Sequence, residues 1–160
     1  MDKRICQVLL VDDSDDDRFL LQRSLKSHAG FRVVAEVRDG EEAIRYLAGE
    51  SMYSDREKYP FPDLMLLDLK MPRKTGYEVL AWLQTHAFEK LKVVVLSGSF
   101  LPEDVAKSLE LGAHAYHMKS ALGPGQTALI EKLEAVASGW KQAREVDVSE
   151  ALFGQRDTAL

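Results

Sequence analysis

Five times along this chain, a short apolar run rich in branched side chains gives way to a segment whose apolar residues recur every three or four positions. Ile5–Val11, Phe31–Val37, Asp63–Leu67, Leu91–Leu96 and Ala113–Met118 read as strands. Helical spacing follows each: Asp13 to about His28, Asp39-Gly40 through Leu47, Tyr77 to about His86, Pro102–Leu111, and about Gln126 to Lys141. Gly30, Gly49 and Gly112 stand where the first, second and fourth of these helices should stop. Strands that alternate with helices imply parallel pairing with right-handed crossovers. Near-continuous apolar strands such as Val93-Val94-Val95-Leu96 suit a sheet covered on both faces. The expected fold is therefore α/β, a doubly wound five-stranded parallel sheet with helices on both faces.

Two segments stand outside this plan. Glu50–Pro62 is a polar connection with two tyrosines, a phenylalanine and two prolines, long beside the usual 2–6 or so residues of an α/β unit. The stretch 144–160 is mixed in character and is expected to be a short, partly disordered tail after a domain spanning 1–143; it carries one apolar pair, Leu152-Phe153.

Ligands of open parallel sheets bind beyond the carboxyl ends of the strands, where strand order reverses. Asp12 and Asp13 follow the first strand, Asp68 the third, Ser97, Gly98 and Ser99 the fourth, and Lys119 the fifth. Three carboxylates, a hydroxyl and an ammonium thus converge on one edge of one sheet. Clustered carboxylates need a cation. A hard, oxygen-seeking ion such as Mg²⁺ fits them and also bridges to phosphate oxygens. A carboxylate can itself act as the nucleophile in phosphoryl transfer, which asks a protein chiefly for positioning and charge neutralisation. Lys119 supplies positive charge, Ser97 a hydroxyl, and Gly98 room for the incoming group.

Five aspartates fall between Asp12 and Asp17. Asp15, Asp16 and Asp17 suit a helix N-terminus, where carboxylates complement the helix dipole; Asp12, still at the strand end, has no such explanation. A calcium-binding EF-hand is excluded, because the sixth position counted from Asp13 is Arg18 and the twelfth is Ser24. The segment Gly123–Leu129 has glycines but lacks the Gly-Lys-Ser/Thr of a nucleotide-binding loop, and the four histidines show no ligand spacing.

Charge and composition narrow the partners. The 160 residues carry a net charge of -5, which argues against nucleic acid and anionic membranes. The single cysteine, Cys6, permits no internal disulfide, and no run approaches the roughly 18 apolar residues of a bilayer span. A cytoplasmic location is expected. Between Ser120 and Leu160 there are four basic and six acidic residues, too short and too acidic a stretch for a helix-turn-helix effector.

These motifs resemble the receiver domain of two-component response regulators, from about Ile5 to Lys141. The acidic pair is Asp12-Asp13, and the phosphoacceptor motif is Leu66 to Leu80, with Pro72 and Gly76 in the following loop. The resemblance implies a flavodoxin-like (βα)5 fold and makes Asp68 the phosphorylated aspartate. It adds the backbone carbonyl of Lys70 to the Mg²⁺ ligands Asp12, Asp13 and Asp68. It makes Ser97 and Lys119 the groups that meet the phosphoryl oxygens, and Ser97 with Tyr116 the switch, Tyr116 turning inward on phosphorylation. The sequence departs from the family at Ser120, where proline is usual. The long Glu50–Pro62 connection is similar to that of single-domain regulators partnering phytochrome-type and other hybrid sensor kinases.

The implied function is a stand-alone switch that takes a phosphoryl group from a sensor histidine kinase or phosphotransfer protein. It would catalyse only its own phosphorylation and dephosphorylation and turn over no external substrate. Its output would be a protein contact or onward phosphotransfer, and a homodimer is compatible with that. Two rivals remain at this level. A small phosphatase with an aspartate nucleophile would carry a second carboxylate two residues after it, where this chain has Lys70. A docking module independent of phosphorylation would have no use for a complete acidic site.

Overall fold

The computed structural model describes residues 4–99, 101–119 and 127–138. Strands β1 (Cys6–Val11), β2 (Phe31–Val37), β3 (Leu64–Leu67), β4 (Lys92–Ser97) and β5 (Ala115–Met118) form one sheet in the order β2-β1-β3-β4-β5. Every pairing is parallel. Helices α1 (Asp15–Lys26), α2 (Gly40–Ala48), α3 (Gly76–Gln84), α4 (Pro102–Glu110) and α5 (Thr127–Ala137) complete the doubly wound fold. Strand order reverses between β1 and β3, the crevice in which such sheets bind ligands.

The pleat divides each strand between two cores. Leu9, Val11, Met65, Leu67, Val93 and Val95 pack beneath α2, α3 and α4. Val8, Leu10, Leu64, Leu66, Val94 and Leu96 pack against α1 and α5. Leu129, Leu133 and Val136 give α5 a buried stripe at helical spacing; Gln126, Trp140, Lys141, Ser120 and the 144–160 tail lie outside the described residues.

Where element boundaries differ from the sequence reading, side chains that bond the backbone explain the difference. Helix α1 starts at Asp15 rather than Asp13 because Ser14 caps it, accepting from Asp17 N at 3.2 Å. Helix α3 ends at Gln84 rather than near His86. Thr85 Oγ1 donates to the Trp82 carbonyl at 2.7 Å, and His86 Nδ1 lies 2.9 Å from the same oxygen. Strand β5 begins at Ala115; just before it the His114 amide donates to the Val93 carbonyl at 2.8 Å and the His114 ring accepts from the Val93 amide at 3.0 Å. Asp63 joins β1 at Gln7 twice, its amide donating to the Gln7 carbonyl at 2.8 Å and its carboxylate accepting from Gln7 N at 2.9 Å.

The Glu50–Pro62 connection is a folded insert. It opens with a 3₁₀ turn over Ser51–Ser54. Tyr53 and Tyr59 pack edge-on 5.1 Å apart, with Tyr46 of α2 4.8 Å from Tyr53. Arg56 reaches back to the C-terminus of α2 and donates to the carbonyls of Tyr46 at 2.9 Å and Leu47 at 3.0 Å. Its guanidinium also lies 5.5 Å from the Phe61 ring. One planar cation thus meets the Leu47 carbonyl, adds a second donor to that of Tyr46, complements the negative end of the helix and ties the insert down. Among the described residues, no helix is long and apolar enough to cross a membrane.

Arg56→Ala should destabilise the protein by about 2–3 kcal/mol, since two charge-assisted hydrogen bonds disappear. Arg56→Lys should recover less than half of that, because an ammonium lacks the fork that serves two carbonyls together. Urea unfolding of the three proteins measures both effects; wild-type stability in Arg56→Ala would show that the tyrosines alone hold the insert.

Candidate functional site

Parallel register brings the carboxylates together. Val11 and Leu67 are partners across β1 and β3, so Asp12 and Asp68 leave adjacent strands side by side. The Asp68 amide donates to the Val11 carbonyl at 2.9 Å. Ligand oxygens of Asp12, Asp13 and Asp68 all lie within 4.8 Å of one another. Asp12 and Asp68 are buried and Asp13 is exposed, so the cluster opens to solvent on one side. Asp12 Oδ1 accepts from Ser14 N at 2.9 Å. Asp12 Oδ2 is fully buried without a well-directed hydrogen bond among the described residues.

Lys119, just past β5, extends across β4 to reach them. Its Nζ stands 2.9 Å from Asp12 Oδ2 and 3.2 Å from Asp68 Oδ2. It also stands 2.9 Å from Asp17 Oδ2 on α1. Burial pulls the ammonium's pKa down, but the surrounding carboxylates outweigh it and hold the lysine charged. Burial pushes the Asp68 carboxyl up to about 6, with Asp12 adding to the rise and Lys119 opposing it. The nearby Lys70 backbone N–H also works against the rise, while the Lys70 residue as a whole is exposed.

Gly76 sets how closely α3 approaches the site. Its amide donates to the Leu69 carbonyl at 2.9 Å, and a Cβ there would lie 2.3 Å from the Asp68 carbonyl oxygen. Any side chain would push the loop after Asp68 away from the helix. Gly98 is different: a Cβ there meets nothing within 4 Å, so the space expected beside it is open.

Ser97 is buried at the end of β4, and its Oγ accepts from Ser99 N at 3.1 Å. Tyr116, the expected switch aromatic, lies inward in this structure. The ring is already inside, 3% exposed and packed in the α2–α4 core. Its hydroxyl donates to the Ser99 carbonyl at 2.9 Å, a partner that anchors the ring there. The Ser99 hydroxyl in turn bonds Asp104 of α4, and Tyr77 of α3 donates to the other oxygen of Asp104 at 2.5 Å. These two donors draw the Asp104 carboxyl below the usual range.

Three participants escaped the sequence reading. Arg18 is buried, donates to the Asp12 carbonyl at 2.5 Å and pairs with Asp15 and Glu36, so it fixes the backbone of the acidic pair. Asp17 is more than a helix-dipole residue, since it touches Lys119. Asp104 sits at an ordinary first-turn position of α4. No spacing in the sequence marks Arg18 or Asp104. The one hint for Asp17 is its place three residues after the cap Ser14, on a helix that opens beside Asp12.

A doubly wound parallel sheet with these acidic and basic groups at its switch point defines a class, and comparison with known proteins names it. Residues 8–134 match the response regulator receiver domain, and the chain belongs to that family. It is similar to response regulator Rcp1 of Synechocystis sp., with 36% identity over 134 residues, covering 83% of this chain and 87% of that one. It is also 33% identical to protein-glutamate methylesterase/protein-glutamine glutaminase 1 of Myxococcus xanthus, covering 88% of this chain but only 40% of that protein. Two solved structures share its fold at 33% identity. The phosphorylated cyanobacterial phytochrome response regulator RcpA superposes with a TM-score of 0.65, over 86% of this chain and 92% of that one. The Mn²⁺-bound form of Rcp1 gives 0.66, over 86% and 95%.

Asp68→Asn should stabilise the ion-free protein at pH 7.5 by about 1–3 kcal/mol. The folded pKa, near 6, lies above the ordinary 3.8. Burial of the ionised carboxylate is therefore a cost at neutral pH, relieved as pH falls through 6 and gone near 4, where the carboxyl is protonated folded or unfolded. Urea unfolding in chelator at pH 7.5 and 4.5 tests this. A gain from the substitution that does not shrink in acid would contradict the burial argument.

Proposed function

We propose that this protein is a phosphoacceptor switch in which Asp68 takes a phosphoryl group from the phosphohistidine of a sensor kinase or phosphotransfer protein. The observation that carries this reading is the gathering of Asp12, Asp13 and Asp68 within 4.8 Å, with Lys119 Nζ 3.2 Å from Asp68 Oδ2. The P–N bond of the phosphohistidine breaks, an Asp68 oxygen forms the new P–O bond, and the departing imidazole nitrogen takes a proton from solvent. Lys119 neutralises charge on the transferred group, and Ser97 offers a hydroxyl to one of its oxygens.

The residues fit a divalent ion. Asp12 has a buried oxygen without a directed donor, the three carboxylates converge, and Asp13 leaves the cluster open to water. Asp12, Asp13 and Asp68 would hold Mg²⁺, with the Lys70 carbonyl as a further ligand. Mg²⁺ neutralises the carboxylates and the phosphoryl oxygens when bound. The Mn²⁺-bound form of Rcp1 supports a divalent ion at this site.

The output runs through protein contact or onward transfer, and the protein acts on no external substrate. Ser97 and Tyr116 carry the signal: both adjoin Ser99, whose hydroxyl bonds the first turn of α4. The likeness to a cyanobacterial phytochrome response regulator supports a phytochrome-type kinase as partner. The receiver unit is 1–143, and the setting is cytoplasmic.

Incubation with acetyl phosphate and Mg²⁺ should raise the intact mass of wild type by one phosphoryl group and leave Asp68→Asn unchanged. Equal labelling of both proteins would remove Asp68 from the role. Mg²⁺ affinity, followed by calorimetry, should fall about tenfold in Asp13→Asn, because one formal charge and one oxygen ligand are lost; an unchanged affinity would exclude Asp13 as a ligand.

A further inference from the structure

We propose that Asp17 is a positioning residue that competes with the phosphoryl group for Lys119 and so sets how strongly the site holds that group. The inference rests on the phosphoacceptor reading above but concerns a residue outside its ligand set.

An ammonium has three N–H donors. Lys119 Nζ already faces three carboxylates, at 2.9 Å from Asp12, 2.9 Å from Asp17 and 3.2 Å from Asp68. A phosphoryl group on Asp68 adds about -1.5 to -2 charges and three acceptor oxygens. Those oxygens join three carboxylates already crowded around one ammonium, and Lys119 can close on them only by loosening its hold on a present partner.

Burial decides which one. The Asp12 side chain is 3% exposed and that of Asp68, which itself carries the new group, is 6% exposed. Abandoning Asp12 would leave a buried charge with less compensation. The Asp17 side chain is 28% exposed, and water can hydrate it once it is released. Its place in the first turn of α1 also favours a carboxylate with no ion partner. Asp17 thus holds Lys119 on α1 in the resting protein and is the partner given up when the phosphoryl group arrives. Asp16 makes the comparison clean: it lies in the same turn and carries the same charge, but it is exposed and is not among the Lys119 partners.

The test uses beryllofluoride with Mg²⁺ as the phosphoryl mimic and reads its affinity by ¹⁹F NMR. Asp17→Asn should bind it about threefold to fivefold more tightly than wild type, the worth of one partly exposed ion pair. Asp16→Asn, which removes the same formal charge, should shift less than twofold or so on this scale, and Asp17→Glu should return to the wild-type value. A second readout needs neither ion nor mimic: exchange of the Lys119 ammonium protons, seen through ¹⁵N at Nζ, should speed up in Asp17→Asn and not in Asp16→Asn. Equal shifts in the two Asn variants, or weaker binding in Asp17→Asn, would overturn the proposal. Failure of wild type to bind the mimic, or equal binding by Asp68→Asn, would overturn the phosphoacceptor reading and this inference with it.

Discussion

One ammonium, that of Lys119, stands among carboxylates delivered by the end of β1, the start of α1 and the end of β3. Much of the surrounding architecture follows from keeping those groups close without losing the fold. Buried ion pairs are held only where geometry offsets desolvation, and here the geometry comes from backbone. Parallel register fixes Asp12 beside Asp68, Arg18 clamps the Asp12 carbonyl, and Gly76 lets α3 close against the loop after Asp68. The compensation is incomplete, since Asp68 remains hard to ionise. A site in this condition is receptive to further positive charge.

From this site a chain of hydrogen bonds leads outward. Tyr116 holds the Ser99 carbonyl, the Ser99 hydroxyl bonds Asp104, and Tyr77 bonds the same carboxylate. Lys107 lies 4.3 Å from the centre of the Tyr77 ring. The seam between α3 and α4 is therefore linked to the loop at the end of β4 by polar contacts that have defined directions. Apolar packing alone tolerates small slippage, whereas these contacts either form or break. Tyr116, buried at the inner end of this chain of bonds, ties the seam to the core.

Much of the fold was legible because it depends on pattern. Alternating strand and helix periods required a parallel sheet, and that sheet collected Asp12, Asp13, Asp68, Ser97 and Lys119 at one edge. What was not legible depends on side-chain reach. Arg56 capping α2, Arg18 gripping the Asp12 carbonyl and Asp17 meeting Lys119 each need a rotamer and a distance, and neither is written in residue spacing. The anchor of Tyr116 was hidden for a related reason. A half-buried aromatic on β5 was foreseeable, but the Ser99 carbonyl that holds it became visible only in three dimensions. Glu50–Pro62 looked like a loop because its order comes from tyrosine packing and one guanidinium rather than from a periodic pattern.

The insert and the acidic site differ in how far along the chain their contacts reach, and this bears on the order in which they form. The insert's hydrogen bonds to α2 span 14 residues or fewer. Closing loops of that length costs little entropy, so this corner can assemble early and locally. The contact of Lys119 with Asp12 joins residues more than a hundred positions apart. It requires β1, β3, β4 and β5 to be laid down first. A chain released before β5 would have the insert but no Lys119 at its carboxylates. The complete site thus exists only once the whole sheet is in place.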